Sequence, residues 1–301
     1  MKIIDRIKQL YTTVLSSKAE INRIAQINFY KGLYLQSDNI GTTKNAIADR
    51  EVIVSLTTYG NKIDQCYLAV ESLLHQTLPP NKIILWLDSE KFQDENSIPL
   101  SLRKQIKRGL EISLVKDVRS HTKLVPALKQ YPEAIIITID DDIIYPIDFV
   151  ERLVRSYQRD PTKIYFYRGH RMTFKNGNYF SPEPYLNWVK KGAKGDSILN
   201  VPTGVLGVLY PPHCMHPDVT DETKFLKLCP YADDIWFKVM SLLNGVSCEM
   251  IPTVHRENQF ITLDIDETSS LQSQNVVGRK NDDQIKALFA NYPISEKLMA
   301  I

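Results

Sequence analysis

Three consecutive carboxylates, Asp140, Asp141 and Asp142, stand out chemically in this 301-residue chain. They close an apolar, β-branched run, residues 134–139, bounded upstream by Pro132 and followed by Pro146. Such a run reads as a strand buried on both faces. Three adjacent acids at its end repel one another and need a compensating cation. A hard divalent metal takes oxygen ligands and can bridge to a phosphate, so it suits the triplet; the plainer alternative is a solvated acidic turn. Position at the carboxyl end of a buried strand favours the metal, because ligands of open α/β sheets sit there. A second acidic pair, Asp233-Asp234, opens an amphipathic helix that runs to Leu243 and stops at Asn244-Gly245.

The elements that must hold these groups follow a strand-and-helix rhythm. Val52–Leu56 reads as a strand ending in Thr57-Thr58-Tyr59-Gly60, and a helix over 64–76 follows, with Asp64 as its cap. Lys82–Leu87 is a second strand, closed by Asp88; a helix near 100–108 ends at Gly109, and Glu111–Lys116 is a third strand. The segment Asp117–Lys123 leads into a helix at about 123–131 and then the central strand, after which Pro146 starts another helix. Later strands are expected at Lys163–Arg168, at Val201–Tyr210 (punctuated by glycine) and at Glu249–Val254, with a helix near 282–290. This alternation predicts an α/β fold with a mainly parallel sheet and helices on both faces. Right-handed crossovers then collect Thr57–Tyr59, Asp88, Asp117–Lys123 and Asp140–Asp142 at one sheet edge. Small hydroxylated turns, acids, an Arg and a Lys beside a metal-competent cluster suit a nucleoside diphosphate. A Walker-type glycine loop and a GxGxxG fingerprint are both missing, which weakens ATPase and dinucleotide readings.

Composition narrows the classes. A net charge of +2 is too small to point to nucleic acid. Cys66, Cys214, Cys229 and Cys248 lack metal-like spacing and are too few for a disulfide scaffold, which points to a reducing compartment. No long apolar run spans a membrane and the start lacks a signal-peptide core, so the expectation is a soluble, cytoplasmic protein. Residues 1–36 read as a helix with Ile3, Ile4, Ile7, Leu10, Tyr11 and Val14 at helical spacing among basic residues. That helix either packs on the domain or rests on an anionic inner membrane face or a partner. Residues 37–49 read as a linker.

Several stretches together resemble one family: SLTTYGNKID, HQTLPP, KIILWLD, DVRSHTKLVPALKQYP, IIITIDDDIIYP and YADDIWFKVMSLLNG. Over residues 50–290 the chain resembles GT-A glycosyltransferases of the family-2 type, above all bacterial enzymes that build surface polysaccharide such as capsule or lipopolysaccharide. The resemblance implies a nucleotide-binding half over 50–150, an acceptor and catalytic half over 151–290, and a tail over 291–301. It implies transfer of a sugar from a nucleotide-diphosphate donor, a UDP-sugar by expectation, to a hydroxyl of a glycan or lipid-linked glycan, with Mn²⁺ or Mg²⁺.

Position by position, the Asp140-Asp141-Asp142 triplet resembles the family's DxD motif. Asp142 would be the direct metal ligand, Asp140 would face the ribose or the metal's water shell, and His255 would complete the metal shell. Thr57, Tyr59 and Asp88 match nucleoside-holding positions. Arg119 and Lys123 would lie near the base or diphosphate, and Arg279 with Lys280 would clamp the leaving diphosphate. Asp233-Asp234 resembles the acidic motif that supplies the base of inverting transfer. Either acid can be the base while the other caps the helix, with Asp234 preferred. His213 and His216 around Cys214 fit an acceptor-side loop better than a metal box. Tyr185 and Trp188 offer sugar stacking, with core packing as the commoner fate. Two rivals remain: a sugar-phosphate nucleotidyltransferase, which would want a glycine- and lysine-rich loop after the first strand, and a non-catalytic partner of a polysaccharide assembly complex.

Overall fold

The structure, a computed structural model, describes residues 2–190, 194–252, 259–263 and 280–300. A long helix, α1 (Lys2–Gln36), precedes the alternating region. Then follow β1 (Val52–Thr57), α2 (Ile63–Leu74), β2 (Lys82–Asp88), α3 (Leu100–Ile106), β3 (Leu110–Val115), α4 (Val125–Gln130) and β4 (Ile135–Thr138). The chain continues through β5 (Ile143–Ile144), α5 (Phe149–Arg159), β6 (Ile164–Phe166), β7 (Gly169–Arg171), β8 (Val189–Lys190), β9 (Gly195–Ser197), β10 (Asn200–Pro202) and β11 (Val208–Tyr210). It closes with α6 (Glu222–Leu228), α7 (Asp233–Leu243), β12 (Cys248–Met250), β13 (Ile261–Thr262), α8 (Lys280–Asn291) and α9 (Ile294–Met299).

The central sheet has the order β3-β2-β1-β4-β11-β6-β12-β9. β1 to β4 are parallel to their neighbours, whereas β11 runs antiparallel between β4 and β6. The chain steps outward from β1 to β3 and then returns to lay β4 on the other side of β1. This reversal opens a crevice at the carboxyl ends of β1 and β4, where the Thr57 turn and the acidic triplet lie. Side chains alternate across the sheet: Ile53, Ile84, Trp86 and Ile136 join the core under α4, α6 and α7, and Val54, Leu85, Ile135 and Ile137 join the core under α2, α3 and α5. Helices therefore cover both faces, and the sheet edge is left for ligands.

One polar cluster is sealed behind α2. Glu71, fully buried, accepts from Arg108 Nη1 through both carboxylate oxygens, at 2.9 and 2.8 Å, and from Gln105 Nε2 at 2.8 Å. The same Arg108 donates from Nε to the Asn39 carbonyl, so it also ties down the segment after α1. α1 itself packs through Ile27, Tyr30 and Leu33 onto a small cluster with Leu68, Ile144, Ile261 and Leu263. Lys104 donates to the Tyr34 carbonyl at 2.9 Å, satisfying a terminal carbonyl of the helix. Among the described residues no helix is long and apolar enough to cross a membrane.

Several expected elements differ. The strand expected over Val201–Tyr210 is two strands: β10 pairs with β7 in a small sheet and β11 enters the main sheet. Between them Gly207 adopts φ +93°, and a Cβ there would lie 2.5 Å from the Phe149 ring. The helix expected at 123–131 starts instead as a 3-10 turn, Arg119–Lys123, and becomes α-helical at Val125. Asp117 Oδ1 starts that turn by accepting from the Arg119 amide at 2.8 Å, an Asx-type bond. Asp64 lies inside the first turn of α2 rather than capping it. Pro146 does not start a helix directly: a turn follows it, closed by the Phe149 amide donating to the Pro146 carbonyl at 3.0 Å, and α5 begins at Phe149. Val254, the expected end of the last strand, lies outside the described residues.

Candidate active site

The acidic turn is held by its backbone. The Ile139 amide donates to the Ser55 carbonyl at 3.1 Å, the Asp140 amide to the Tyr145 hydroxyl at 2.9 Å, and the Leu263 amide to the Asp142 carbonyl at 2.8 Å. With its main chain fixed, the three side chains diverge. Asp140 Oδ1 accepts from Lys123 Nζ at 2.7 Å, and Asp142 Oδ2 accepts from Lys62 Nζ at 2.9 Å. Asp141 is buried, 3.8 Å from Lys62 Nζ, and its Oδ2 has no hydrogen-bond partner. Burial pushes the Asp141 carboxyl up to about 6, and Lys62 offsets this only in part.

Lys123 is the hub of the site. Its carbonyl accepts from Ser55 Oγ at 2.6 Å, and Ser55 Oγ in turn accepts from Trp86 Nε1 at 2.8 Å, so two neighbouring strands fix its backbone. Its Nζ reaches Asp140 and also lies 3.4 Å from Asp233 Oδ2. Burial disfavours this charge, yet Asp140, Asp233 and Asp234 together hold the ammonium well above the usual lysine range. The turn before α4 and the first turn of α7 thereby meet the acidic turn after β4.

The two acids of α7 separate in character. Burial tends to raise Asp233, but Lys123 and then His121 outweigh it and hold the carboxyl below its ordinary value. Asp234 is pushed up to about 8, first by burial and then by the Asp233 charge. Its Oδ1 accepts from the Gly204 amide at 3.0 Å. A Cβ on Gly204 would come within 3.0 Å of Lys123 Nζ and 3.3 Å of Asp234 Oδ1, so this glycine lets the backbone reach the centre of the cluster. Neither acid caps the helix with its side chain; Ala232 occupies that position.

The other predicted residues fall around this centre to different degrees. Thr57, at the end of β1, donates its hydroxyl to the Trp86 carbonyl at 3.0 Å. Tyr59 is 43% exposed at the mouth, with Lys62 Nζ 5.7 Å from its ring centre. Asp88 accepts from the Glu90 amide at 3.1 Å and meets Lys91 at 3.4 Å, so it organises the turn after β2. Arg119 adopts φ +65° and lies 4.4 Å from the Tyr231 ring centre, while Lys280 Nζ approaches the same ring at 4.6 Å. His255 and Arg279 lie outside the described residues.

Trp188 is buried and donates to the Glu183 carbonyl at 2.9 Å, which makes it a core residue. Tyr185 packs 5.0 Å from it, and burial, then the nearby Asp234 charge, pushes its hydroxyl up to about 12. His213 pairs with Glu133 at 2.9 Å, whereas His216 Nδ1 accepts from the Asp218 amide at 3.2 Å, so the PPHCMHP residues do not converge.

Two residues were passed over in the sequence. Lys62 belongs to the same turn as Tyr59, and Gly60 at φ +58° folds that turn back over the strand end. A lysine that close to a strand's carboxyl end was a legible signal. Gly204 carried no comparable signal, because its role comes from long-range packing.

Among the described residues no three His, Cys, Asp or Glu side chains converge as a protein-only metal cage. The donors that are present fit a different arrangement. Asp142 and Asp140 offer hard carboxylate oxygens, their side chains are 23% and 26% exposed, and a buried orphan oxygen of Asp141 lies beside them. Mg²⁺-like ions are commonly held in this way, by one or two carboxylates plus substrate phosphates.

No protein-family model matches the chain, and no curated protein matches it in sequence. Among solved structures it is similar to the mannosyltransferase PcManGT from Pyrobaculum calidifontis, in complex with GDP-Man and Mn²⁺. The TM-score is 0.50 at 12% identity, covering 95% of this chain and 79% of that one. At that identity the likeness is one of fold: this chain has a GT-A-like α/β architecture, with a large, mostly parallel sheet flanked by helices and an antiparallel second half.

Proposed function

We propose that the chain is a metal-dependent glycosyltransferase that moves a sugar from a nucleotide-diphosphate donor to a hydroxyl of a glycan or lipid-linked glycan in surface-polysaccharide synthesis. The observation that carries this reading is the meeting of two acidic groups with different properties. One is a strand-end carboxylate cluster at the sheet's reversal point. The other is Asp234 on α7, with its pKa raised, and Lys123 and Gly204 lie between the two. The structural neighbour's ligands, GDP-Man and Mn²⁺, support a nucleotide-sugar and a divalent ion as the partners here. They give uracil no precedence over guanine as the donor base.

In this reading residues 50–150 hold the nucleotide, residues 151–290 hold the acceptor and the base, and residues 1–49 form an extension. Asp142 and Asp140 would hold the ion, which supplies charge neutralisation for the leaving diphosphate. Lys62 and Lys123 pair with the carboxylates before the ion arrives and give the diphosphate cationic partners afterwards. Thr57, Tyr59 and Asp88 shape the nucleoside side of the crevice, and Arg119 extends it. Asp234 takes the proton from the acceptor oxygen, and its raised pKa suits it to that work near neutral pH. A base on the acceptor side implies inversion at the anomeric carbon. His255 as a further ligand and Arg279 as a diphosphate clamp remain part of the proposal.

Thermal shifts with UDP-, GDP-, CMP- and dTDP-sugars, each with Mn²⁺ and with EDTA, test it. One nucleotide class should stabilise the protein only with metal; Asp142→Ala should lose that shift, and Asp234→Asn should keep it while losing transfer. No metal-dependent shift with any donor, or full transfer by both variants, overturns the assignment.

A further inference from the structure

α1 has two apolar faces. One, through Ile27, Tyr30 and Leu33, is packed on the protein. The other points away from it: Val14 is 57%, Ile21 68% and Leu35 70% exposed. At about 100° per residue, Ile21 and Tyr30 lie on opposite sides of the helix.

The outward residues keep one spacing. Val14, Ile21, Asn28 and Leu35 recur every seven residues, and the series extends back in the sequence to Ile7. A companion series, four residues before each of these, holds Ile3, Leu10, Ser17, Ile24 and Lys31. Together they form the alternating three- and four-residue pattern of a coiled-coil seam, with the first series at a and the second at d. Ile24 and Asn28 are both exposed along this stripe.

We propose that α1 pairs with α1 of a second copy of this chain as a parallel, two-stranded coiled coil. The residue types choose the partner and the strand number. β-branched Val14 and Ile21 at a favour two strands over three or four, and a lone asparagine at a, Asn28, fixes register by bonding to its counterpart. A lipid surface would need neither a seven-residue repeat nor a single asparagine within the stripe. The arrangement is sterically open, because the packed face lies opposite the seam and the two bodies stand on either side of the pair. α1 is 35 residues long, giving about 50 Å of helix for the contact.

Sedimentation velocity and light scattering on the full chain test this. The expected result is a dimer that Val14→Asp/Ile21→Asp converts to a monomer with unchanged circular dichroism. Asn28→Ile should broaden the distribution toward higher oligomers, and Ile21→Cys should crosslink to its own counterpart under mild oxidation. A full chain that stays monomeric at all accessible concentrations overturns the proposal. So does a double-aspartate variant that stays dimeric, or a monomer that binds phosphatidylglycerol vesicles through this stripe.

Discussion

Lys123→Met removes the ammonium that compensates Asp140 and Asp233 while keeping most of the side chain's bulk. Each contact, at 2.7 and 3.4 Å, carries a gross attraction of about 5–6 kcal/mol at an effective dielectric constant of about 20. Most of that is offset by the cost of burying a lysine that is 11% exposed. The net penalty for leaving a buried partner uncompensated is about 3–5 kcal/mol. Asp140 retains 26% exposure and can rehydrate, so the lower end, about 3 kcal/mol, is expected. At about 2–4 °C per kcal/mol this is a fall in Tm of about 6–12 °C near pH 7.5.

The pH dependence has a definite sign. In the parent protein Asp233 sits below its ordinary value, so its contribution is present above pH 4 or so and is lost on acidification. Without Lys123, Asp233 loses the charge that outweighs its burial and moves above its unfolded value, and Asp234, already raised, rises further, so the added penalty falls where they must ionise. The difference between parent and variant should therefore be largest at pH 7.5 and shrink by pH 5. Paired urea titrations at the two pH values measure it. A gap under about 1 kcal/mol at pH 7.5, or one that is equal at pH 5, would refute the idea that Lys123 neutralises this cluster.

If Asp234 is the base, log kcat/KM should climb with pH and level off above about 8, because burial and Asp233 hold its proton. A profile already flat from pH 6 would exclude it. Gly204→Ala should fold, since the added methyl meets side-chain ends that can give by a few tenths of an ångström, yet lower kcat at least about tenfold by displacing Lys123 Nζ and Asp234 Oδ1; unchanged turnover would remove Gly204 from the site. Arg108→Met should cost about 3–5 kcal/mol by removing the buried cation that both Glu71 oxygens bond, as read by urea midpoint. A loss below about 1 kcal/mol there would mean that Gln105 and His75 suffice as partners for Glu71.

What was legible in the sequence was whatever a local run could express. Val52–Thr57, Lys82–Asp88 and Ile135–Thr138 are apolar segments that end in polar residues, and they became the parallel strands whose ends frame the crevice. The meeting of the Asp140 turn with the start of α7 followed from that topology. The division of VPTGVLGVLY was not legible, because every residue in it tolerates an extended backbone. Gly207 turns at φ +93° against Phe149, far off in sequence, where a Cβ would not fit. Lys62 and Lys123 show a related limit. The three acids plainly needed positive charge, but the sequence does not say which cation lies within reach in space, and here two lysines do.

The short pairing of β5 with β13 links parts of the chain that are remote in sequence. β13 meets β5 directly beside Asp142, and Tyr30 of α1 backs the same pair from behind. The second half of the first helix is thus a wall of the room in which the acidic turn sits. Shortening the chain to residue 50 would withdraw Tyr30 and Leu33 and wet Ile144 and Ile261. Asp142 would then hang from a strand pair with one side open. A trimmed protein that lost metal affinity would be reporting a slackened hinge of backbone, although every acidic side chain in it remained intact.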